Sequence, residues 1–218
     1  MRKLAALLII LLLLAPVFAG EQEAQKADAA PVWSTYILRV FTLYDNFSIS
    51  SGTGFVTTDG IFTARHVVWS ENATRLSAKV MTWDGAVHMV EGISRVYGED
   101  IVRLTLPTLK NDQGLVLAGE GLTVQKNCYA AGYWGQSIDL GLQVKSSGTI
   151  LPDREVTKYF DPYGDTYYWS TIMVGPGCSG GPVFVDGRVV ALVTGCGSYA
   201  ILSRLDRAHP VSYTHLTL

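Results

Sequence analysis

The residues best suited to covalent chemistry lie in the stretch Gly175-Pro176-Gly177-Cys178-Ser179-Gly180-Gly181-Pro182. Its serine hydroxyl is flanked by glycines, which let the backbone turn sharply and let another main chain come close. Such a turn can direct the N–H groups of Gly177 and Ser179 at one point beside the hydroxyl, where an oxyanion forms during acyl transfer. The stretch therefore predicts a nucleophile, Ser179, with its oxyanion hole. A glycine-rich β-turn with an incidental serine is the alternative.

A serine nucleophile needs a base within hydrogen-bond reach and a third group that orients the base. His66 directly follows a predicted strand in Thr63-Ala64-Arg65-His66, and this context fixes a side chain on a rigid element. Asp100 precedes the apolar strand Ile101-Val102-Arg103-Leu104, where it can be partly buried and point at an imidazole. We therefore expect His66 to be the base and Asp100 the orienting acid. The other histidines, His88, His209 and His215, are interpreted as solvated or packed imidazoles.

These three motifs occur in the chain order His, Asp, Ser, and together they resemble the chymotrypsin-fold serine endopeptidases. Pro176-Gly177-x-Ser-Gly-Gly-Pro and Tyr199-Ala200-Ile201 are most similar to the bacterial periplasmic branch that includes the high-temperature-requirement proteases. Gly52-Thr53-Gly54-Phe55-Val56 and Cys128-Tyr129-Ala130-Ala131-Gly132 also fit. The resemblance covers about residues 33–208.

The resemblance implies an all-β fold of two six-stranded antiparallel β-barrels, with the active site in the cleft between them. The first barrel would supply His66 and Asp100, and the second Ser179 and the oxyanion hole. The strand pattern of the sequence agrees with this two-barrel fold independently of the resemblance. Short strands separated by turn signals are predicted in two groups, about six strands before a polar segment and about seven after it. Asp59-Gly60 and Asp186-Gly187 are predicted hairpin turns.

The resemblance also implies a primary specificity pocket. In this fold the residue six positions before the nucleophile lies at the pocket base, and here that residue is Met173. The edge around Val193 would pair with the substrate backbone. The pocket walls would be formed by Thr194, Gly195, Gly197 and Ser198. None of these residues is charged, so we expect an apolar P1 side chain in the substrate.

The composition of the chain limits the classes of molecule that it is expected to bind. The 218-residue chain is 48% hydrophobic and has a net charge of −2, which gives no electrostatic case for nucleic acid. We expect polypeptide substrates, no cofactor and no metal; the oligomeric state is left open.

The N-terminus has the pattern of a signal peptide. Arg2 and Lys3 precede an apolar run from Leu4 to Leu14, and Ala19 ends a small-residue cleavage site. We therefore expect export to the periplasm or the extracellular space, with no stable membrane insertion after cleavage.

The predicted organisation is a signal peptide (1–19), a flexible leader (20–32), an N-terminal barrel (33–110), a linker (111–120), a C-terminal barrel (121–210) and a tail (211–218). The tail matches one reading frame of a transposase adapter used in sequencing libraries, and we interpret it as non-biological.

Three cysteines in an exported chain leave at least one unpaired, and Cys178 with Cys196 is the favoured pair for a possible disulfide. Cys178 is an alternative nucleophile, but Ser179 is the residue directly before Gly-Gly.

Two alternative functions stay open at this point. One is a protease-fold peptide-binding protein without catalysis, and the other is a hydrolase of small esters.

Overall fold

The computed structural model describes residues 32–95, 100–118, 126–134, 143–151 and 167–205. These residues form thirteen strands, one 3-10 helix (Val32–Tyr36) and one short α-helix, α1 (Arg65–Val68). The predicted signal peptide, almost all of the leader and the tail lie outside the described residues, so their assignments stay predictions. No helix in the described part of the chain is long and apolar enough to cross a membrane.

The first half is one antiparallel sheet of seven strands, in the order β5-β4-β1-β2-β3-β7-β6. Its strands are β1 (Ile37–Tyr44), β2 (Ile49–Thr57), β3 (Gly60–Ala64), β4 (Arg75–Met81), β5 (Val87–Met89), β6 (Gly92–Arg95) and β7 (Ile101–Thr105). The predicted Asp59-Gly60 turn joins β2 to β3, and the Thr57 hydroxyl accepts hydrogen bonds from the N–H groups of both turn residues at 3.1 Å. Local turn chemistry therefore fixes the hairpin that leads into α1.

The second half is a closed six-stranded barrel in the order β10-β13-β12-β11-β8-β9. Its strands are β8 (Asn127–Tyr133), β9 (Gln143–Leu151), β10 (Tyr167–Ser170), β11 (Pro182–Val185), β12 (Arg188–Cys196) and β13 (Ala200–Arg204). The predicted Asp186-Gly187 turn joins β11 to β12. Both of its residues have positive φ, 50° and 78°, as a type I′ hairpin turn requires.

One apolar core is shared by the two halves. Phe55 and Ile101 of the first half belong to the same buried cluster as Tyr133, Phe184 and Leu192 of the second. A second cluster fills the closed barrel and includes Cys128, Val183 and Leu202. The shared cluster fixes the two halves against each other, which a site built from both of them requires.

The all-β, two-barrel architecture is confirmed, but the first half differs in strand number. It contains seven strands instead of six, because Gly92–Arg95 forms a separate short strand, β6, that pairs with β7. The segment expected to link the halves makes one isolated bridge to each of them: Leu115 pairs with Thr57, and Leu117 with Val189.

Candidate active site

Residues 175–181 form a compact turn just before β11, and we call them the serine loop. The Cys178 N–H donates to the Gly175 carbonyl at 3.1 Å, and the Gly181 N–H donates to the Cys178 carbonyl at 2.8 Å. Gly177 and Gly180 have φ values of 93° and 85°, which L-residues with a side chain rarely adopt. The glycine content of the stretch is therefore required by the path of the backbone.

The serine loop of the second half is docked directly on β2 of the first half. The Thr53 N–H donates to the Ser179 carbonyl at 2.7 Å, and the Thr53 hydroxyl donates to the Gly177 carbonyl at 2.7 Å. A Cβ on Gly180 would collide with the Thr53 carbonyl oxygen, the Thr63 hydroxyl and the Ala64 nitrogen. Only glycine allows this close approach.

The N–H groups of Gly177 and Ser179 donate no hydrogen bond to any described residue. The Ser179 N–H lies in the same planar peptide group as the Cys178 carbonyl, which accepts from Gly181. Since the C=O and N–H of a trans peptide point in opposite directions, this bond turns the Ser179 N–H away from Gly181. Both N–H groups are therefore available to a ligand.

His66 lies in α1, a single helical turn that directly follows β3. No side-chain hydrogen bond caps this helix from the Ala64 position. Instead Asp100 satisfies two of its N-terminal donors: the Asp100 carbonyl accepts from the Arg65 N–H at 3.1 Å, and Oδ1 accepts from the His66 N–H at 2.9 Å. Asp100 is in place to do this because the next residue, Ile101, pairs with Ala64 across β3 and β7.

The second carboxylate oxygen of Asp100 binds the imidazole itself. Oδ2 lies 2.6 Å from His66 Nδ1, and the side chains are 16% and 47% exposed. An ion pair or charge-assisted hydrogen bond of this length fixes the ring orientation and leaves Nε2 for another partner. The structure therefore brings together the two residues that sequence reasoning assigned as acid and base.

Ser179 and α1 meet at Gly52. A Cβ on this glycine would lie 2.8 Å from the Ser179 carbonyl oxygen and 2.6 Å from a methyl of Val67, the residue after His66. Among the described hydrogen bonds, none joins the Ser179 hydroxyl to the His66 ring. Catalytic hydrogen bonds are often long or poorly aligned without substrate, so this geometry is compatible with a nucleophile and its base.

The predicted substrate edge lies at the end of β12. Strand β11 pairs with β12 only as far as Leu192. Beyond that point Val193 exchanges two backbone hydrogen bonds with the serine loop, while the register with β13 shifts between Val193 and Gly195. The backbone from Thr194 to Cys196 therefore has a strand partner on one side only among the described residues. The Thr194 hydroxyl contacts the Ser203 hydroxyl at 2.5 Å.

Two of the predicted pocket walls border open space. A Cβ on Gly195 would meet only a methyl of Ile201, at 3.9 Å, and a Cβ on Gly197 would meet nothing within 4 Å. Ser198 is exposed. The walls therefore leave room for a side chain.

Met173 does not have the predicted position at a pocket base. Its side chain is 74% exposed, whereas its neighbour Ile172 is 3% exposed and belongs to the barrel core. Ile172 is held in the barrel core, and the side chain of Met173 next to it faces solvent instead of lying at the base of a cavity. The assignment of Met173 to the pocket base is corrected accordingly.

The possible disulfide between Cys178 and Cys196 is not formed, and both residues are free thiols. Cys178 is buried in the barrel core and Cys196 is exposed at the end of β12, so their sulfur atoms lie in different environments. Burial raises the pKa of the Cys178 thiol; a hydrogen bond from the Gly175 backbone opposes the rise, and the charge of nearby Cys196 adds to it.

Sequence reasoning assigned no role to two residues that contact the serine loop. Thr53 binds it as described above, and the indole nitrogen of Trp134 would lie 3.0 Å from a Cβ on Gly175. Thr53 could have been singled out from its place between two glycines in Gly52-Thr53-Gly54. Trp134 follows β8 without any such signal.

Comparison with known families decides the class of the protein. The family model for the trypsin-like peptidase domain matches residues 52–192, which include His66, Asp100 and Ser179. The chain belongs to this family. It is a serine endopeptidase by family. Among curated protein sequences, no significant match was found.

Solved structures show the same fold. The active form of the Rv3671c protease from M. tuberculosis is 21% identical, with a TM-score of 0.63 over 80% of this chain and 78% of that one. Its inactive form matches with a TM-score of 0.60 at the same identity, over 80% and 86% of the two chains. HL collagenase is 14% identical, with a TM-score of 0.65 over 79% and 89% of the two chains. Neither comparison singles out the high-temperature-requirement branch, which stays a prediction.

Proposed function

We propose that this trypsin-like peptidase is exported and cleaves polypeptides through a triad of Ser179, His66 and Asp100, with an acyl-enzyme intermediate. The observation that carries the proposal is the pair of hydrogen bonds that the Asp100 carboxylate accepts from the backbone N–H and the ring of His66, at 2.9 and 2.6 Å. They hold Nδ1 against a carboxylate and leave Nε2 free to take a proton.

Acylation follows from this arrangement. Nε2 of His66 takes the hydroxyl proton as Oγ of Ser179 bonds to the scissile carbonyl carbon, and the carbonyl electron pair moves to oxygen. The oxyanion is stabilised by the free N–H groups of Gly177 and Ser179, while Asp100 stabilises the imidazolium. Collapse of the intermediate breaks the C–N bond, and the leaving amine receives the proton from Nε2.

Deacylation repeats these roles with water. His66 takes a proton from the water as its oxygen attacks the ester carbon on Ser179. The second oxyanion is held by the same N–H groups, and its collapse breaks the bond to Oγ. The carboxylic acid product leaves and Oγ regains its proton from the imidazolium, so no cofactor is needed.

An extended peptide fits the free side of β12. Its main chain would add as a strand between Thr194 and Cys196, which favours polypeptides over small esters. The space beside Gly195 and Gly197 would receive the P1 side chain. No charged residue borders it among the predicted pocket residues, and a buried cation without a counter-ion would be costly, so P1 should be apolar.

Export rests on the N-terminal sequence alone. Two basic residues, an apolar run too short to span a bilayer and a small-residue site ending at Ala19 support cleavage there. We expect a mature N-terminus at Gly20. N-terminal sequencing of the secreted or periplasmic protein tests this, and an intact Met1 in that fraction would refute it.

Labelling with a fluorophosphonate probe tests the nucleophile. The probe reacts only with an activated serine, so the wild-type protein should be labelled and Ser179→Ala should not. Cys178→Ala is the matched control, since it removes the adjacent thiol and should leave labelling intact. A folded wild-type protein that binds peptides without labelling would instead be the non-catalytic binding protein.

A further inference from the structure

We infer that Thr53 is a positioning residue that holds the oxyanion hole open from the opposite half of the molecule; this rests on the proposed function. Thr53 binds the carbonyl groups of both residues whose N–H groups are the proposed oxyanion donors. Its hydroxyl donates to the Gly177 carbonyl, and its N–H donates to the Ser179 carbonyl, each at 2.7 Å. One residue of β2 therefore fixes the backbone on the C-terminal side of both donors.

The direction of the hydroxyl bond is settled by a second contact. The Tyr133 N–H donates to the Thr53 hydroxyl oxygen at 2.9 Å, so this oxygen acts as acceptor toward β8. A hydroxyl has one proton to give, and that proton goes to the Gly177 carbonyl. The carbonyl is thereby held away from the place where an oxyanion would sit, while the Gly177 N–H stays free of described partners.

Thr53 is also tied to the strand that leads to His66. Its carbonyl accepts from the Thr63 hydroxyl at 2.6 Å, and Thr63 lies in β3 just before Ala64 and α1. Thr53 is completely buried, and its N–H, hydroxyl and carbonyl groups are all hydrogen-bonded. A fully satisfied buried network of this kind has one favoured arrangement, because any rotation leaves buried groups unpaired. It links β3, which leads to α1, with the serine loop and β8 through one residue.

Gly132 leaves the space that the Thr53 hydroxyl occupies. A Cβ at position 132 would lie 2.9 Å from the hydroxyl oxygen and 3.4 Å from the Cys178 Cα. A methyl group there would push the hydroxyl off the Gly177 carbonyl. Gly132→Ala therefore tests the same bond as a change of Thr53, from the opposite side.

Without the hydroxyl, the Gly177 carbonyl and the Tyr133 N–H lose a buried partner. The Gly177 carbonyl shares its peptide group with the Cys178 N–H, so turning this carbonyl toward another donor also breaks the bond from Cys178 to the Gly175 carbonyl. The backbone on the C-terminal side of Gly177 would then be free to shift, and the Gly177 N–H would no longer be held toward the oxyanion. Losing one oxyanion donor lowers kcat by about 10²-fold or more. KM should change little, because no described hydrogen bond joins Thr53 to the substrate edge of β12.

The decisive pair of variants is Thr53→Val, which keeps the shape and removes the hydroxyl, and Thr53→Ser, which keeps the hydroxyl. We measure kcat and KM on a peptide substrate, and the affinity of a peptide boronate, whose tetrahedral adduct places an oxygen in the oxyanion hole. Thr53→Val should lose about 10²-fold in kcat and a similar factor in boronate affinity, while Thr53→Ser stays within about threefold of wild type.

A purely structural role gives a different result. Thr53→Val would then melt at a lower temperature but, measured well below its Tm, would keep its kcat and boronate affinity within about threefold, and this would overturn the inference. Should Thr53→Val fail to fold, Gly132→Ala with unchanged kcat and boronate affinity would overturn it equally. Ser179→Ala separates the two levels of argument. If it keeps its turnover, the proposed function fails; if it is inactive while Thr53→Val matches wild type, only the role of Thr53 fails.

Discussion

Asp100 holds His66 by its backbone and by its ring at the same time: Oδ1 accepts from the His66 N–H at 2.9 Å and Oδ2 lies 2.6 Å from Nδ1. The same carboxylate therefore begins the helix that carries the base and orients the base itself. Strand pairing between Ala64 and Ile101 sets this geometry before any substrate is bound.

Asp100→Asn should lower kcat about 10⁴-fold without unfolding the protein. The amide oxygen can still accept from the His66 N–H, but the amide nitrogen is a donor and presents the wrong partner to Nδ1. Steady-state kinetics with circular dichroism as a folding check measures this. Glu71→Gln is the matched control. Glu71 is also an acid beside α1, with Oε1 4.0 Å from Nη2 of Arg65, but its side chain is 85% exposed. Asp100→Asn with more than about a tenth of wild-type kcat would contradict the role of Asp100.

Gly180→Ala and Gly187→Ala separate crowding from backbone strain. Both glycines have positive φ, 85° and 78°, but a Cβ on Gly180 would collide with Thr53 and Thr63, whereas a Cβ on Gly187 would meet nothing within 4 Å. Gly187→Ala should cost about 1 kcal/mol of unfolding free energy, from strain alone. Gly180→Ala should cost at least about 3 kcal/mol and abolish turnover, because the serine loop can no longer dock on β2. Urea unfolding measures both, and equal losses would refute the close approach.

The three thiols should differ in reactivity. Cys196 is exposed, while Cys128 and Cys178 are buried. Burial raises the pKa of the Cys128 thiol, opposed by a hydrogen bond with Ser170, and it raises that of Cys178 as well. Iodoacetamide should therefore modify Cys196 in the native protein and the other two only after unfolding. Mass spectrometry of the peptides reads this out, and a peptide in which Cys178 is linked to Cys196 would contradict the free thiols.

The same raised pKa values predict a loss of stability at alkaline pH. In the unfolded chain each thiol titrates at its ordinary pKa of 9.0, whereas in the folded protein it titrates higher. The contribution of the buried thiols is therefore complete below about pH 9 and is lost as the pH rises through the folded-state values. Unfolding free energies from urea titrations should fall above that pH, and Cys128→Ala should fall less steeply than wild type. Parallel slopes would exclude Cys128 as a cause.

Features governed by local sequence were predictable. Asp186-Gly187 forms the expected turn because two adjacent positive φ values suit these two residue types. His66 and Asp100 could be paired because each stands at the end of a strand, and neighbouring antiparallel strands bring such ends together. Strand β6 was missed because only Val90 and Glu91 separate it from the end of β5.

Features governed by contacts across the molecule were not predictable. The exposure of Met173 depends on which way the segment after β10 turns, and this is decided by burial of Ile172 in the barrel. The role of Thr53 depends on Gly177 and Tyr133, which are 124 and 80 residues away in the chain. No periodicity or local motif encodes such pairings, since they arise only when the two halves dock.

The preference at P1 is the last prediction, and Gly195 offers a direct test of it. Its φ is not in the positive range and its Cβ would meet only Ile201, so Gly195→Val should fold and fill the proposed pocket. In a P1-varied peptide library the wild type should prefer apolar residues. Gly195→Val should lose at least about tenfold in kcat/KM for Leu and Phe at P1, and much less for Ala, because a filled pocket rejects large side chains first.

Met173→Ala is the control for the pocket, since a side chain that is 74% exposed should leave the P1 profile unchanged. A changed profile in this variant would return Met173 to the pocket base. A wild-type preference for Lys or Arg would exclude an apolar pocket, because the cation would then need a buried carboxylate that none of the proposed wall residues carries. An unchanged profile in Gly195→Val would place the pocket elsewhere. None of these results would alter the assignment of Ser179, His66 and Asp100, because P1 selection and proton transfer use different side chains.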